Sequence, residues 1–89
     1  MKTEKLEQII LDEIEKVIDA IPANKSDNLM QFSVECKKNL VDFLYVVDAL
    51  EDRLKIPVGK SIARRSYSVM TVQGLAEALL EDYGEIQVM

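Results

Sequence analysis

The sequence predicts an all-α fold, a bundle of three main helices and one short helix. Apolar residues recur at three- and four-residue spacing in three separate segments, the signature of amphipathic helices. Almost half of the residues are apolar and only three are glycine, a composition that suits a packed domain rather than a disordered chain. Each periodic segment is followed by a proline or a glycine, at Pro22, Pro57 and Gly84. With 89 residues, one domain is expected over 1–84, followed by a loose tail at 85–89.

The first helix is expected over 3–20. Leu6, Ile9, Ile10, Ile14, Val17, Ile18 and Ile21 form its stripe, Thr3 can cap its start, and Pro22 stops it because the residue before a proline is pushed out of helical geometry. Residues 22–38 read as a long connection opened by the turn-rich PANKSDN, with Leu29, Met30 and Phe32 folding back onto the core. The second main helix spans 39–54, with Asn39 as N-cap and Leu40, Phe43, Leu44, Val47, Leu50 and Leu54 on its inner face. A single helical turn is expected at 62–67. The last helix covers 71–83, capped by Thr71, burying Val72, Leu75, Ala76, Leu79 and Leu80, and stopped by Gly84. The predicted core is Ile10, Ile14, Val17, Phe43, Leu44, Val47, Leu50, Leu75 and Leu79, with Leu40 packed at the edge of its stripe.

Charge and composition narrow the function classes. The net charge is −5, which argues against general nucleic-acid binding because that needs a basic face. No run of apolar residues is long enough to span a membrane, and the charged, periodic N-terminal segment does not read as a signal peptide, so a cytoplasmic location is expected. One cysteine and no histidine leave no disulfide and remove the commonest general base and metal ligand. Neither enzymatic activity nor a bound metal is expected.

Two surfaces stand out. At about 100° per residue, Val41, Tyr45 and Ala49 fall opposite the inner stripe of helix 39–54, bordered by Asp48 and Asp52. An apolar strip rimmed by acids is a candidate partner surface; alternatively, Val41 and Tyr45 cover a neighbouring loop. Between residues 55 and 70 there is no acid, while Lys55, Lys60, Arg64 and Arg65 supply four positive charges. That stretch is either a solvated loop or a second candidate contact, through Lys60, Arg64 and Arg65, for an acidic partner.

The order long helix, long loop, acidic helix, short turn, final helix resembles the acyl carrier protein family. The residues that carry the resemblance are LVDFLYVVDALEDRLKIPV at 40–58, above all Ala49-Leu50-Glu51-Asp52 followed by Leu54 and Ile56-Pro57-Val58. Thr71-Val72-Gln73 is similar to the start of the family's last helix, and Phe32 to an aromatic that the family places shortly before its second helix. The resemblance implies a four-helix carrier bundle working in lipid, polyketide or peptide biosynthesis, with a biosynthetic enzyme as protein partner. It also implies that Asp42, Glu51 and Asp52 stand where the family's acids dock basic partners, and Val41 where the family exposes an apolar residue on its recognition helix.

The family carries cargo on a 4′-phosphopantetheine arm esterified to a serine at the start of its second helix. Here the corresponding motif is Asn39-Leu40-Val41, so Leu40 occupies the serine position. An alkyl side chain cannot form the phosphodiester, so no cofactor is expected. Lys37 and Lys38, just before it, should disfavour the basic surfaces of arm-transferring enzymes.

The remaining reactive side chains offer little. Ser26, in Lys-Ser-Asp-Asn-Leu, faintly echoes the attachment motif, but using it would break every downstream match. Ser33 reads as a cap or turn residue. Cys36 lies near a helix start beside two lysines, where a thiolate is favoured, but no histidine is present to serve it and a lone cysteine is more often a small core residue. Glu51 and Asp52 are adjacent and diverge on a helix, so they are not an acid/base pair.

Overall fold

The computed structural model describes residues 2–37, 40–65 and 70–84, the Leu40 side chain excepted. The chain is all-helical among these residues, with α1 at Thr3–Ile18, α2 at Leu29–Glu35, α3 at Leu40–Leu54, α4 at Val58–Arg64 and α5 at Val72–Tyr83. The proposed Asn39 cap, the packing of Leu40, the end of the turn at 62–67 and the tail at 85–89 lie outside the described part.

α1 forms because Leu6, Ile9, Ile10, Ile14 and Ile18 align on one buried face. It stops earlier than expected, and for a different reason. Asp19 adopts a left-handed conformation (φ 64°), and its N–H returns to the Glu15 carbonyl at 2.9 Å. A short polar side chain tolerates that conformation, so the helix ends before Pro22 acts. Thr3 is the first helical residue rather than the cap. Val17 is only partly buried at the edge of the core, and Ile21, expected on the same stripe, lies past the helix end and is half exposed.

A fifth helix, α2, occupies part of the expected connection. The Asn28 side-chain oxygen accepts from the Met30 and Gln31 N–H groups at 2.9 and 3.0 Å, capping it. Leu29 enters the core, and its N–H donates to the Met70 carbonyl at 2.7 Å. The Gln73 N–H likewise donates to the Lys25 carbonyl, so the 22–28 connection is fastened to the entry of α5.

α3 is the central element, packed on α1, α2 and α4, while α5 packs on α1 and α4. Phe43, Val46, Val47, Leu50 and Leu54 are buried. The expected inner face is thus rotated. Val46 is 1% exposed and Leu44 is 52% exposed, the reverse of the periodicity reading. The core direction bisects Phe43, Val46, Val47 and Leu50, which leaves Leu44 at the rim.

Lys55 takes a left-handed conformation (φ 58°) that ends α3. α4 then begins directly after Pro57, four residues earlier than the expected turn at 62–67. At α5 the expected cap and stop hold: Thr71 Oγ1 accepts from the Gly74 N–H at 2.8 Å, and Gly84 ends the helix with φ 62°, but Leu80 is only partly buried.

The candidate docking face of α3 and its neighbouring cavity

Three large apolar side chains stand out of α3 into solvent: Val41 at 53% exposure, Leu44 at 52% and Tyr45 at 58%. They are related by three- and four-residue steps and are surface neighbours on a helix. Asp48 follows one turn later and Asp52 one turn beyond it, both exposed. The acids therefore continue the apolar patch toward the C-terminal half of α3 rather than encircling it. Asp52 pairs loosely with Lys55 at 3.5 Å, and both remain largely in solvent.

Glu51 and Asp42 point elsewhere. Glu51 is half-buried and accepts the Gly59 N–H at 2.9 Å, tying α3 to the first turn of α4. Asp42 is half-buried and engaged in an interaction of its own. Ala49 is also half-buried. Of the expected site, Val41, Tyr45, Asp48 and Asp52 share the outward face. Leu44 joins them and was assigned to the core by periodicity.

The cationic stretch has a different fate. Arg65 bonds the Asp82 carboxylate and lies 3.7 Å from Glu81. The Ser61 hydroxyl, fully buried, also bonds Asp82. The Arg65 guanidinium first, and the Ser61 hydroxyl second, hold the Asp82 carboxyl below the usual aspartate range, opposed by desolvation. Asp82 in turn holds the Arg65 guanidinium above its ordinary value. Arg64 donates to the Tyr83 hydroxyl at 3.3 Å, and that hydroxyl donates to the Pro57 carbonyl at 3.0 Å. Lys60 is exposed. Arg64 and Arg65 thus fasten α4 to α5. Sequence spacing gives no sign of the Ser61–Asp82 contact, because its partners are 21 residues apart.

Between α3 and α4 lies a cavity of about 330 Å³. Phe43, Val47, Ile62 and Met70 line it, with Met30 of α2 at one side and Leu44, Gly59 and Ala63 toward solvent. Arg65 is its one charged lining residue, and the Arg65 Nε is buried with no hydrogen-bond partner among the described residues.

The side chains weighed for covalent chemistry are placed as follows. Ser33 is buried inside α2, its hydroxyl donating to the Leu29 carbonyl at 3.0 Å. It is neither a cap nor a turn residue. Ser26 is exposed in the turn before α2, and Cys36 is a free, half-buried thiol against the core. Among the described residues no group of three or more His, Cys, Asp or Glu side chains is placed to hold a metal ion, and no helix is long and apolar enough to cross a membrane. Comparison with protein-family models, with curated proteins and with solved structures finds no match for this chain.

Proposed function

We propose that this chain is an acyl-carrier-protein-like domain of lipid, polyketide or peptide biosynthesis that docks a partner enzyme through the outer face of α3 and carries no phosphopantetheine arm. The observation that carries this reading is the exposed Val41–Leu44–Tyr45 patch continued by Asp48 and Asp52. Single exposed apolar residues are ordinary, whereas three adjacent ones on one helix face favour burial against another protein. Aromatic anchors dominate such contacts, so Tyr45 should contribute most, while the acids speed encounter with a basic partner. The resemblance of residues 40–58 to the family's recognition helix supplies the biosynthetic setting, and Leu40 removes the hydroxyl that attachment needs.

Affinity capture from the native organism tests the docking face. Asp48→Lys with Asp52→Lys, and separately Tyr45→Ala, should abolish capture of a biosynthetic enzyme, whereas Lys60→Glu with Arg64→Glu should not. If only the α4 pair matters, the docking face is wrong. Incubating the Leu40→Ser variant with a phosphopantetheinyl transferase and coenzyme A tests the carrier setting. A mass gain of one phosphopantetheine at residue 40 supports it.

Leu40 also favours a second reading, a small helical interaction or regulatory protein with only the carrier architecture. The two readings separate on what the α3 face captures, a biosynthetic enzyme or a protein of another class.

A further inference from the structure

Resting on the docking reading above, we propose that the partner presents an amphipathic helix that seats one large apolar side chain in the cavity between α3 and α4. The flank of that helix facing α3 carries basic residues.

The cavity opens on the docking face. Its floor is made by Phe43, Val47, Ile62 and Met70, whereas Leu44 and Ala63 are exposed and form its two lips. Leu44 belongs to both the cavity and the exposed patch, so a helix lying on Val41, Leu44 and Tyr45 passes over the mouth. Size admits a single large side chain. At about 330 Å³ the space sits at the lower limit of pockets that enclose small molecules, about 300–1,000 Å³. It is roughly twice the cavity of about 150 Å³ that accepts benzene, which suits one leucine, methionine or phenylalanine.

Orientation argues the same way. A small ligand needs convergent polar groups to fix it. Among the described residues Arg65 is the one charged lining residue, and it already bonds Asp82 beside Glu81, leaving only its Nε. An anchor borne on a helix is oriented from outside the cavity, by the surrounding surface. Beyond the mouth, the exposed face of α3 continues from Val41, Leu44 and Tyr45 to the exposed acids Asp48 and Asp52, whereas α4 exposes Lys60 and Arg64. The α4 wall is preformed, held by the Glu51–Gly59 and Tyr83–Pro57 hydrogen bonds, so little ordering cost attends insertion.

The test uses helical peptides, basic along one flank, whose central residue is Ala, Leu, Met or Phe, titrated into isotope-labelled protein. The best of the large residues should bind at least about tenfold tighter than Ala, with methyl shifts at Leu44, Ile62 and Met70. Ala63→Leu, a change at an exposed helical position, should remove that gain, and Asp48→Lys should weaken every peptide alike. Equal binding of the Ala and Phe peptides to the unmodified protein overturns the proposal whether or not any variant folds. A response to Asp48→Lys without dependence on the central residue overturns insertion yet leaves the docking face standing. Capture independent of Asp48 and Asp52 removes the docking face itself. Decanoate that moves the same methyls and displaces the Phe peptide would make the cavity a small-ligand pocket and overturn the proposal.

Discussion

Leu50 and Leu44 belong to the same helix and differ in surroundings: Leu50 is fully buried, and Leu44 has about half of its surface in water. Replacing each with alanine removes about three carbons, so any difference in cost reports burial. At about 0.8 kcal/mol per buried carbon, Leu50→Ala loses about 2.4 kcal/mol of transfer free energy. The hole left among the core residues raises this to about 3–4 kcal/mol. Leu44→Ala should cost about 1 kcal/mol or less, reduced by a few tenths because alanine is the better helix former. Urea unfolding followed by helical circular dichroism measures both. In a domain of this size each kcal/mol moves the melting temperature by about 4–8 °C, so the two variants should separate by about 10 °C or more. Losses equal within about 0.5 kcal/mol would place Leu44 in the core. The α3 face would then lose the residue that links it to the cavity.

Asn28→Ala should cost about 1 kcal/mol by uncapping α2, and amide exchange should accelerate at Met30 and Gln31 before it does in α3. Arg53 holds the buried Glu13 carboxylate at 3.1 Å, so Arg53→Ala leaves that group only the exposed Lys16 ammonium at 3.4 Å and should cost about 1–3 kcal/mol. Glu13→Gln made on that background should recover part of the loss. Asp82, whose folded pKa is depressed by Arg65 and Ser61, contributes stability that is fully present above its unfolded value of 3.8 and disappears as pH falls through the folded value. Asp82→Asn should therefore destabilise at neutral pH, and pH-dependent melting curves of variant and parent should converge in acid; curves that stay parallel would refute the Asp82 contribution.

What the sequence disclosed follows from the length scale of each signal. α1 and α5 are long enough for several turns of apolar periodicity, and Thr71 places a local cap where its hydroxyl bonds Gly74. α2 has seven residues, too few for periodicity to declare itself, and its cap Asn28 sits in a run that reads as turn. α4 is hidden by Pro57 and Gly59 and by Ser61, whose burial makes sense only once Asp82 arrives from α5. The exchange of Leu44 for Val46 has the same origin. Periodicity fixes which residues share a face, but the direction of the core depends on where α1 and α4 pack. Val41 and Tyr45 were legible as an outward pair because they lie farthest from the core by any choice of direction.

The fate of the cations decides the sign of the surface. Residues 55–70 look like a basic patch when read along the chain, yet Arg65 bonds Asp82, Arg64 bonds Tyr83 and Lys55 leans on Asp52. The acid-free stretch therefore supplies fasteners that hold α4 against α5, chiefly through the half-buried Arg65, while Lys55, Lys60 and Arg64 keep exposed charge. On α3 the balance runs the other way. Asp48 and Asp52 project into solvent next to Val41, Leu44 and Tyr45, while Glu51 is spent on Gly59. An approaching protein meets apolar surface continued by negative charge, with a screening length of about 8 Å at physiological ionic strength. Attraction of that range acts on encounter and fades with salt, whereas the apolar contact sets how long the complex lasts. Raising salt should then slow association with a basic partner and leave dissociation nearly unchanged. An acidic partner drawn by α4 would have to compete for arginines that the fold already uses.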